Sequence, residues 1–150
     1  MPELPEVETV RLGLVDRLEN FYIHKVEVCR ERAIASPGGS KEFISKMQGS
    51  FVGAWNRRGK YLIASLEKEK SLTKHSFEQL SSKGLWGVHL RMTGHFHWLN
   101  QTQAPCPHTR VRLWNKAGAE LRFIDTRSFG QMWWVPPNVP LLAPDLGCPG

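Results

Sequence analysis

The chain has 150 residues, 41% hydrophobic and 23% charged, with 20 Lys and Arg against 14 Asp and Glu and a net charge of +6. These proportions suit one folded domain with a real apolar core, and the basic balance suggests a polyanionic partner without showing one. No apolar run approaches the roughly 20 residues that span a bilayer, and Met1-Pro2-Glu3 is no secretory opening, so an intracellular protein with no membrane partner is expected.

Taken in chain order, the first element is a helix. From Pro5 to Leu18, Val7, Val10, Leu14 and Leu18 recur at helical spacing, and Glu6 and Glu8 sit in the first turn, where they suit the dipole. Pro5 fits the first helical position, because its missing N–H would be unpaired there anyway. Phe21 to Arg30 alternates as a strand. A Ser36-Pro37-Gly38-Gly39 loop and a short helix over Lys41 to Met47 follow.

Strand-like runs then occupy Phe51 to Asn56, Tyr61 to Leu66, Leu85 to Met92, Phe96 to Leu99, Thr109 to Trp114, Ala119 to Asp125 and Gln131 to Val135. Asn115 to Gly118 reads as a hairpin turn, and the polar stretch Lys68 to Lys83 as an extended hairpin loop. The pattern predicts an α+β, mainly β fold: an antiparallel sandwich or barrel flanked by an N-terminal helix and a second short one. The domain is expected over residues 1–135, followed at 136–150 by a Pro-rich segment of linker composition.

The three cysteines, Cys29, Cys106 and Cys148, are odd in number and widely spaced, which makes no disulfide framework. Basic residues cluster at Arg57-Arg58-Gly59-Lys60, at Arg110-Val111-Arg112, and at Arg122 with Arg127. Positions i and i+2 share a strand face, so Arg110 and Arg112 could line one basic surface. A solvated face with no partner is the plain alternative. His95-Phe96-His97 and Cys106-Pro107-His108 hold four potential ligands for a tetrahedral metal, although His, Trp and Phe interleaved on a strand more often pack.

The chemistry begins at Pro2. Methionine is normally removed ahead of a small residue, which would leave the Pro2 ring nitrogen as a free secondary amine. With an α-amino pKa of about 7.7 to 8.0, about a tenth of it is unprotonated at pH 7, a far larger share than for an ordinary lysine. Such an amine attacking an aldehyde-like sugar carbon yields an imine, and Glu3 is adjacent to move protons. A stiff lead-in to a capped helix is the bland alternative.

Pro2-Glu3-Leu4-Pro5-Glu6-Val7-Glu8 resembles the opening of formamidopyrimidine-DNA glycosylase, a family that excises 8-oxoguanine and ring-opened purines. The resemblance continues through Arg57-Arg58-Gly59-Lys60-Tyr61, His89-Leu90-Arg91-Met92-Thr93-Gly94 and Asp125-Thr126-Arg127-Ser128-Phe129-Gly130. It implies that Pro2 is the nucleophile, holding the sugar as a Schiff base, with Glu3 as the acid/base that opens the deoxyribose ring. It also implies that Lys60 grips phosphate near the lesion and that His89 lies near the same backbone; read from the residues alone, Lys60 could be a plain hairpin-end lysine and His89, alone in an apolar strand, a core residue. Met92, Arg127 and Phe129 match the side chains that fill the space left by the rotated nucleotide; without the resemblance, Met92 and Phe129 read as core. Arg110 joins the expected DNA contacts from the charge pattern.

The implied partner is double-stranded DNA with oxidised purines or abasic sites, bound by a monomer. The family's zinc finger lies in a C-terminal domain, and no Cys-x-x-Cys pair exists here, so no metal site and no cofactor is assigned to this chain. The family's second DNA-binding module follows the linker, so the chain alone is expected to bind DNA poorly and excise little. Two alternatives from other classes are a non-catalytic DNA-binding module and a small-molecule tautomerase using the N-terminal proline as a base.

Overall fold

In the computed structural model the described residues are 4–18, 21–68, 83–91, 93–127 and 129–137, with the side chains of 4–7 and 15–17 left aside. Helix α1 (Leu4–Leu18) is followed by strands β1 (Phe21–Tyr22) and β2 (Lys25–Val28), a 3-10 turn (Glu31–Ala33) and helix α2 (Gly39–Met47). Strands β3 (Phe51–Arg58), β4 (Tyr61–Glu67), β5 (Gly84–His89), β6 (His95–Leu99), β7 (Thr109–Trp114), β8 (Glu120–Ile124) and β9 (Gln131–Val135) complete the order. They form a five-stranded sheet, β1-β3-β4-β5-β9, and a four-stranded sheet, β2-β7-β8-β6, with every strand pair antiparallel. The expected mainly β sandwich with two helices is what forms.

Alternation along the strands explains the two layers. Leu62, Ala64, Leu66, Trp86, Val88 and Met132 of the first sheet share one core with Val26, Val111, Leu113, Leu121 and Phe123 of the second. Trp86 of β5 meets Phe96 of β6 edge to face at 6.3 Å between ring centroids, a direct contact across the layers. Leu14 and Leu18 of α1 and Phe43 and Met47 of α2 close the same core. This is the helix face that the spacing of α1 predicts, although Val7 is among the side chains left aside.

The expected strand from Phe21 to Arg30 splits between the sheets. Its N-terminal part pairs with β3 and its C-terminal part with β7. The switch takes place over Ile23 and His24: the Ile23 N–H donates to Ser50 O at 2.9 Å, and the His24 N–H donates to Trp114 O at 2.8 Å. The run expected over Leu85 to Met92 ends at His89, where the chain turns. The polar loop expected over Lys68 to Lys83 and the Pro-rich segment 136–150 fall mainly outside the described residues.

The outer face of the second sheet corrects the expected basic surface. Arg112 donates from Nε to Glu120 Oε2 at 3.0 Å and from Nη1 to Glu27 Oε1 at 3.1 Å. Arg122 donates from Nε to the same Glu120 oxygen at 2.7 Å. Both guanidiniums also donate to Gln103 O, which fastens the loop after β6 across this face. Arg110 is only 5% exposed; it sits at a β-bulge, with Nε donating to Asp125 O at 3.0 Å and Nη1 to Pro107 O at 3.3 Å. The expected solvent-facing surface of Arg110 and Arg112 is therefore absent, because internal carboxylates and carbonyls take these donors.

Glu120 is the acid that holds the network. It is 0% exposed, and burial alone would raise its pKa, but hydrogen bonds from Arg122, Arg112 and Thr102 outweigh that and lower it to about 2. At pH 7, Glu120→Gln should cost about 3–5 kcal/mol of stability, because the buried Arg122 guanidinium loses its counter-charge and Arg112 keeps only Glu27. The folded-state pKa lies below the ordinary 4.5, so this contribution is complete above pH 4.5 and is lost as pH falls toward about 2. Urea unfolding of parent and variant should show the gap narrowing through that window; a gap constant with pH would contradict the assignment.

Candidate active site and nucleic-acid interface

One end of the sandwich gathers Lys60, His89, Arg127 and Phe129. The β3–β4 hairpin turns through Gly59 and Lys60, with Arg58 paired to Tyr61. Gly59 has φ +59, the conformation that favours glycine at the first central position of a two-residue hairpin loop. The turn sets Lys60 at the end of two interior strands of the sheet. Tyr61 pairs with His89 across β4 and β5, and their rings meet edge to face at 4.7 Å. His89 pairs in turn with Gln131 on β9.

His89 is buried at 5% exposure, and its pKa is lowered to about 4 by burial first and then by the positive charges of Arg91 and Lys60. It is therefore neutral at pH 7. Its Nδ1 accepts the Arg91 N–H at 3.0 Å, so the ring proton sits on Nε2. The imidazole is thus a donor that needs no protonation to act. Arg91 itself has φ +57, in the left-handed region that few non-glycine residues adopt, and donates from Nη2 to Gln131 Oε1 at 3.4 Å. This turn ends β5 earlier than the alternation of the sequence suggests.

The turn from Leu90 to Gly94 closes with the Gly94 N–H donating to Leu90 O at 2.9 Å. A Cβ on Gly94 would lie 2.5 Å from that oxygen, which requires glycine there. Met92 belongs to this turn but lies outside the described residues, as do Pro2 and Glu3.

Asp125 ties this turn to the next one. Its carboxylate accepts the Thr93 hydroxyl, the Arg127 N–H at 3.1 Å and the Gly130 N–H at 2.5 Å. The bond to the N–H two residues ahead is the turn that aspartate favours. The β5–β6 and β8–β9 connections are therefore fastened together at one carboxylate. Arg127 is exposed, and Phe129 is 45% exposed with the Arg32 guanidinium 5.9 Å from its ring centroid. Of the expected DNA contacts, Arg127 and Phe129 are presented to solvent, Lys60 is partly so, and His89 and Arg110 are buried.

Helix α1 is docked beside this end. Glu8 accepts from Arg11 Nε at 2.7 Å and from Arg57 Nε at 3.4 Å, and Arg11 Nη1 donates to Trp55 O at 3.5 Å. The Arg11 guanidinium, with a smaller effect of Arg57, holds Glu8 below the usual carboxylate range. The first half of α1 is thereby tied to the strand that leads into the Lys60 hairpin.

Sequence reasoning assigned no role to Asp125, Arg91 or Arg32. Asp125 stands in a quoted motif, and an aspartate two residues ahead of a turn was a readable signal; the left-handed Arg91 and the stacking of Arg32 on Phe129 left none. Among the described residues no group of three or more His, Cys, Asp or Glu could hold a metal ion, so His95, His97, Cys106 and His108 do not assemble the tetrahedral set considered from the sequence.

Asp125→Ala leaves the Arg127 and Gly130 N–H groups and the Thr93 hydroxyl without their acceptor. The expected cost is about 3 kcal/mol, given the desolvation penalty of stranded donors. Urea unfolding measures it, and hydrogen exchange should show loss of protection at the Arg127 and Gly130 amides. Unchanged protection would mean that the carboxylate does not hold the turns.

Residues 1–132 match the family described as the formamidopyrimidine-DNA glycosylase N-terminal domain. A formamidopyrimidine-DNA glycosylase of Prochlorococcus marinus (strain MIT 9313) is 65% identical over 138 residues, covering 92% of this chain and 47% of that protein. One from Parasynechococcus marenigrum (strain WH8102) is 57% identical over 150 residues, covering 100% of this chain and 48% of the relative. The chain thus spans about half the length of these relatives. Among solved structures, Lactococcus lactis Fpg in complex with DNA containing an abasic site is similar at TM-score 0.74 and 26% identity, covering 90% of this chain and 44% of that one. Its complex with FAPY-dG-containing DNA gives TM-score 0.72 and 27% identity, covering 87% and 43%. With most of its length matched, this chain belongs to the formamidopyrimidine-DNA glycosylase N-terminal domain family.

Proposed function

We propose that this chain supplies the catalytic half of a base-excision-repair glycosylase/lyase that removes oxidised purines through a Schiff base on Pro2. The observation that carries this reading is the convergence, at one end of the sandwich, of the docked helix α1, the strand ends that carry Lys60 and His89, and the two turns clamped by Asp125. Helix α1, tied to the hairpin strand through Glu8 and Arg57, starts at Leu4, and Pro2 stands two residues ahead of it in the sequence.

In the proposed reaction the unprotonated Pro2 nitrogen attacks the anomeric carbon and the damaged base leaves with the bond electrons. Glu3 takes the proton that the attacking nitrogen gives up and delivers it to the ring oxygen, the deoxyribose opens, and the nitrogen becomes an iminium. The iminium acidifies the neighbouring sugar C–H. Loss of that proton expels the 3′ phosphate and cuts the strand, so one intermediate serves excision and lyase chemistry. In this reading Lys60 holds a phosphate close to the lesion, and the buried, neutral His89 supports the same end of the sheet through Tyr61. Met92, Arg127 and Phe129 fill the vacated space: a guanidinium can hydrogen-bond the orphaned base, and a phenyl ring can wedge a base step.

The proposed partner is duplex DNA carrying oxidised purines or abasic sites, in whichever compartment holds the DNA. The relatives are about twice as long as this chain, and the contacts of their other half would add to binding. The chain alone should therefore bind weakly at physiological salt, and its test belongs at low salt and high protein concentration. The second reading, a tautomerase, leaves the exposed basic hairpin and the outward Phe129 without a purpose.

Borohydride should trap the chain on an abasic-site duplex, and Pro2→Gly should abolish the adduct; intact mass should first show that Met1 is gone. A protein that binds the duplex but yields no adduct would overturn the mechanism. Lys60→Ala should lower the log–log salt slope of DNA binding by about 0.9, the share of one phosphate contact, as followed by fluorescence anisotropy across a salt series.

A further inference from the structure

His95 and His97 take no part in the proposed reaction. They lie at i and i+2 on β6, an edge strand of the second sheet, so both imidazoles leave the same face. Both residues are exposed, with ring centroids 4.9 Å apart and planes inclined at 53°. Two imidazoles sharing one tetrahedral cation at a metal–nitrogen distance of 2.0–2.1 Å would have centroids about 5 Å apart. The existing spacing therefore needs little rearrangement to accept a cation.

The hydrogen bonding supports the same use. His95 Nδ1 lies 3.0 Å from Thr93 O, and a carbonyl only accepts, so Nδ1 carries the proton and Nε2 presents a lone pair. A backbone carbonyl behind one ring nitrogen, with the other left open, is how metal-ligating histidines are oriented. Arg122, paired with His97 across β6 and β8, repels a cation, but its charge is offset by the ion pair with Glu120.

We propose that His95 and His97 form a bidentate site for a divalent transition cation of the zinc, nickel or copper class, with water in the remaining positions. Imidazole donors select these ions over magnesium or calcium, which take oxygen. No third His, Cys, Asp or Glu joins the pair among the described residues, so the site is open and exchangeable. Its place gives it a consequence: a cation on His95 Nε2 strengthens the Nδ1–H bond to Thr93 O, and the Thr93 hydroxyl is bonded to Asp125. Metal binding would thereby stiffen the link between Thr93 and Asp125.

The test is independent of DNA chemistry. Calorimetric titration of Ni2+ into the full chain should show a site whose affinity falls at least about tenfold in His95→Ala and in His97→Ala. His108→Ala and Cys106→Ser, exposed potential ligands outside the pair, should leave it unchanged. Electron paramagnetic resonance of the Cu2+ form should show two imidazole nitrogens in the parent and fewer in His97→Ala. Both substitutions lie on an exposed edge strand, and circular dichroism confirms that the variants are folded. Absence of Ni2+ binding, affinity indifferent to both substitutions, or a Cu2+ spectrum without paired imidazoles would each overturn the site. None of these outcomes bears on the repair reading, which the borohydride adduct decides separately.

Discussion

Asp125 is where the sandwich is converted into a site. Completely buried at the end of β8, it uses every polar group it has: its N–H donates to His108 O, its carbonyl accepts from Arg110, and its carboxylate takes the Thr93 hydroxyl and the N–H groups of Arg127 and Gly130. The apolar core sets the separation of the two sheets, and this residue fixes the two connections between them relative to one another. A side chain that must enter a duplex gains from being held in place beforehand, because the ordering entropy is then spent in folding and not in binding.

The same logic sorts the positive charges. Arg110, Arg112 and Arg122 are internal, satisfied by Glu27, Glu120 and backbone carbonyls, and their job is to hold the loop after β6 and the bulge of β7. A buried ion-pair network contributes little net stability over an apolar equivalent, but breaking one partner is costly. What faces the solvent at the site end is a different set, from Arg57 and Arg58 at the hairpin to Arg127 after β8. The net charge of +6 is thus a poor map of the surface, since part of the basic complement does structural work inside.

Much of the fold was legible because alternation and helical spacing report burial directly. The helix ending at Leu18 and strands β7 and β9 fall where the pattern puts them. The misses have physical causes. Phe21 to Arg30 reads as one strand because alternation does not register which sheet a residue pairs with, and the switch at Ile23–His24 rests on two backbone bonds invisible in the sequence. β5 was read too long because the left-handed turn at Arg91 uses no glycine at that position. Arg110 and Arg112 were misplaced because a strand pattern predicts a shared face but not whether a loop covers it. At the site, the chemistry of Lys60 and Phe129 came from resemblance; the geometry that makes Phe129 available did not.

Phe129 shows how the two levels meet. A phenyl ring in a small domain gains about 2 kcal/mol by burial, so leaving it 45% exposed needs a restraint. The Gly130 N–H is held by Asp125 immediately after it, and a Cβ on Gly130 would stand 2.6 Å from the Phe123 ring, so the chain here is pressed onto the core while its neighbour points away. Arg32 covers one side of the ring from a 3-10 turn that is itself fastened to β9, with the Ala35 N–H donating to Met132 O. The ring is kept from collapsing inward by backbone bonds and kept from unbroken contact with water by a cation. Insertion between bases would offer it the burial that the domain withholds, and that difference in free energy is what an exposed aromatic can return to a duplex that has lost a stacked nucleotide.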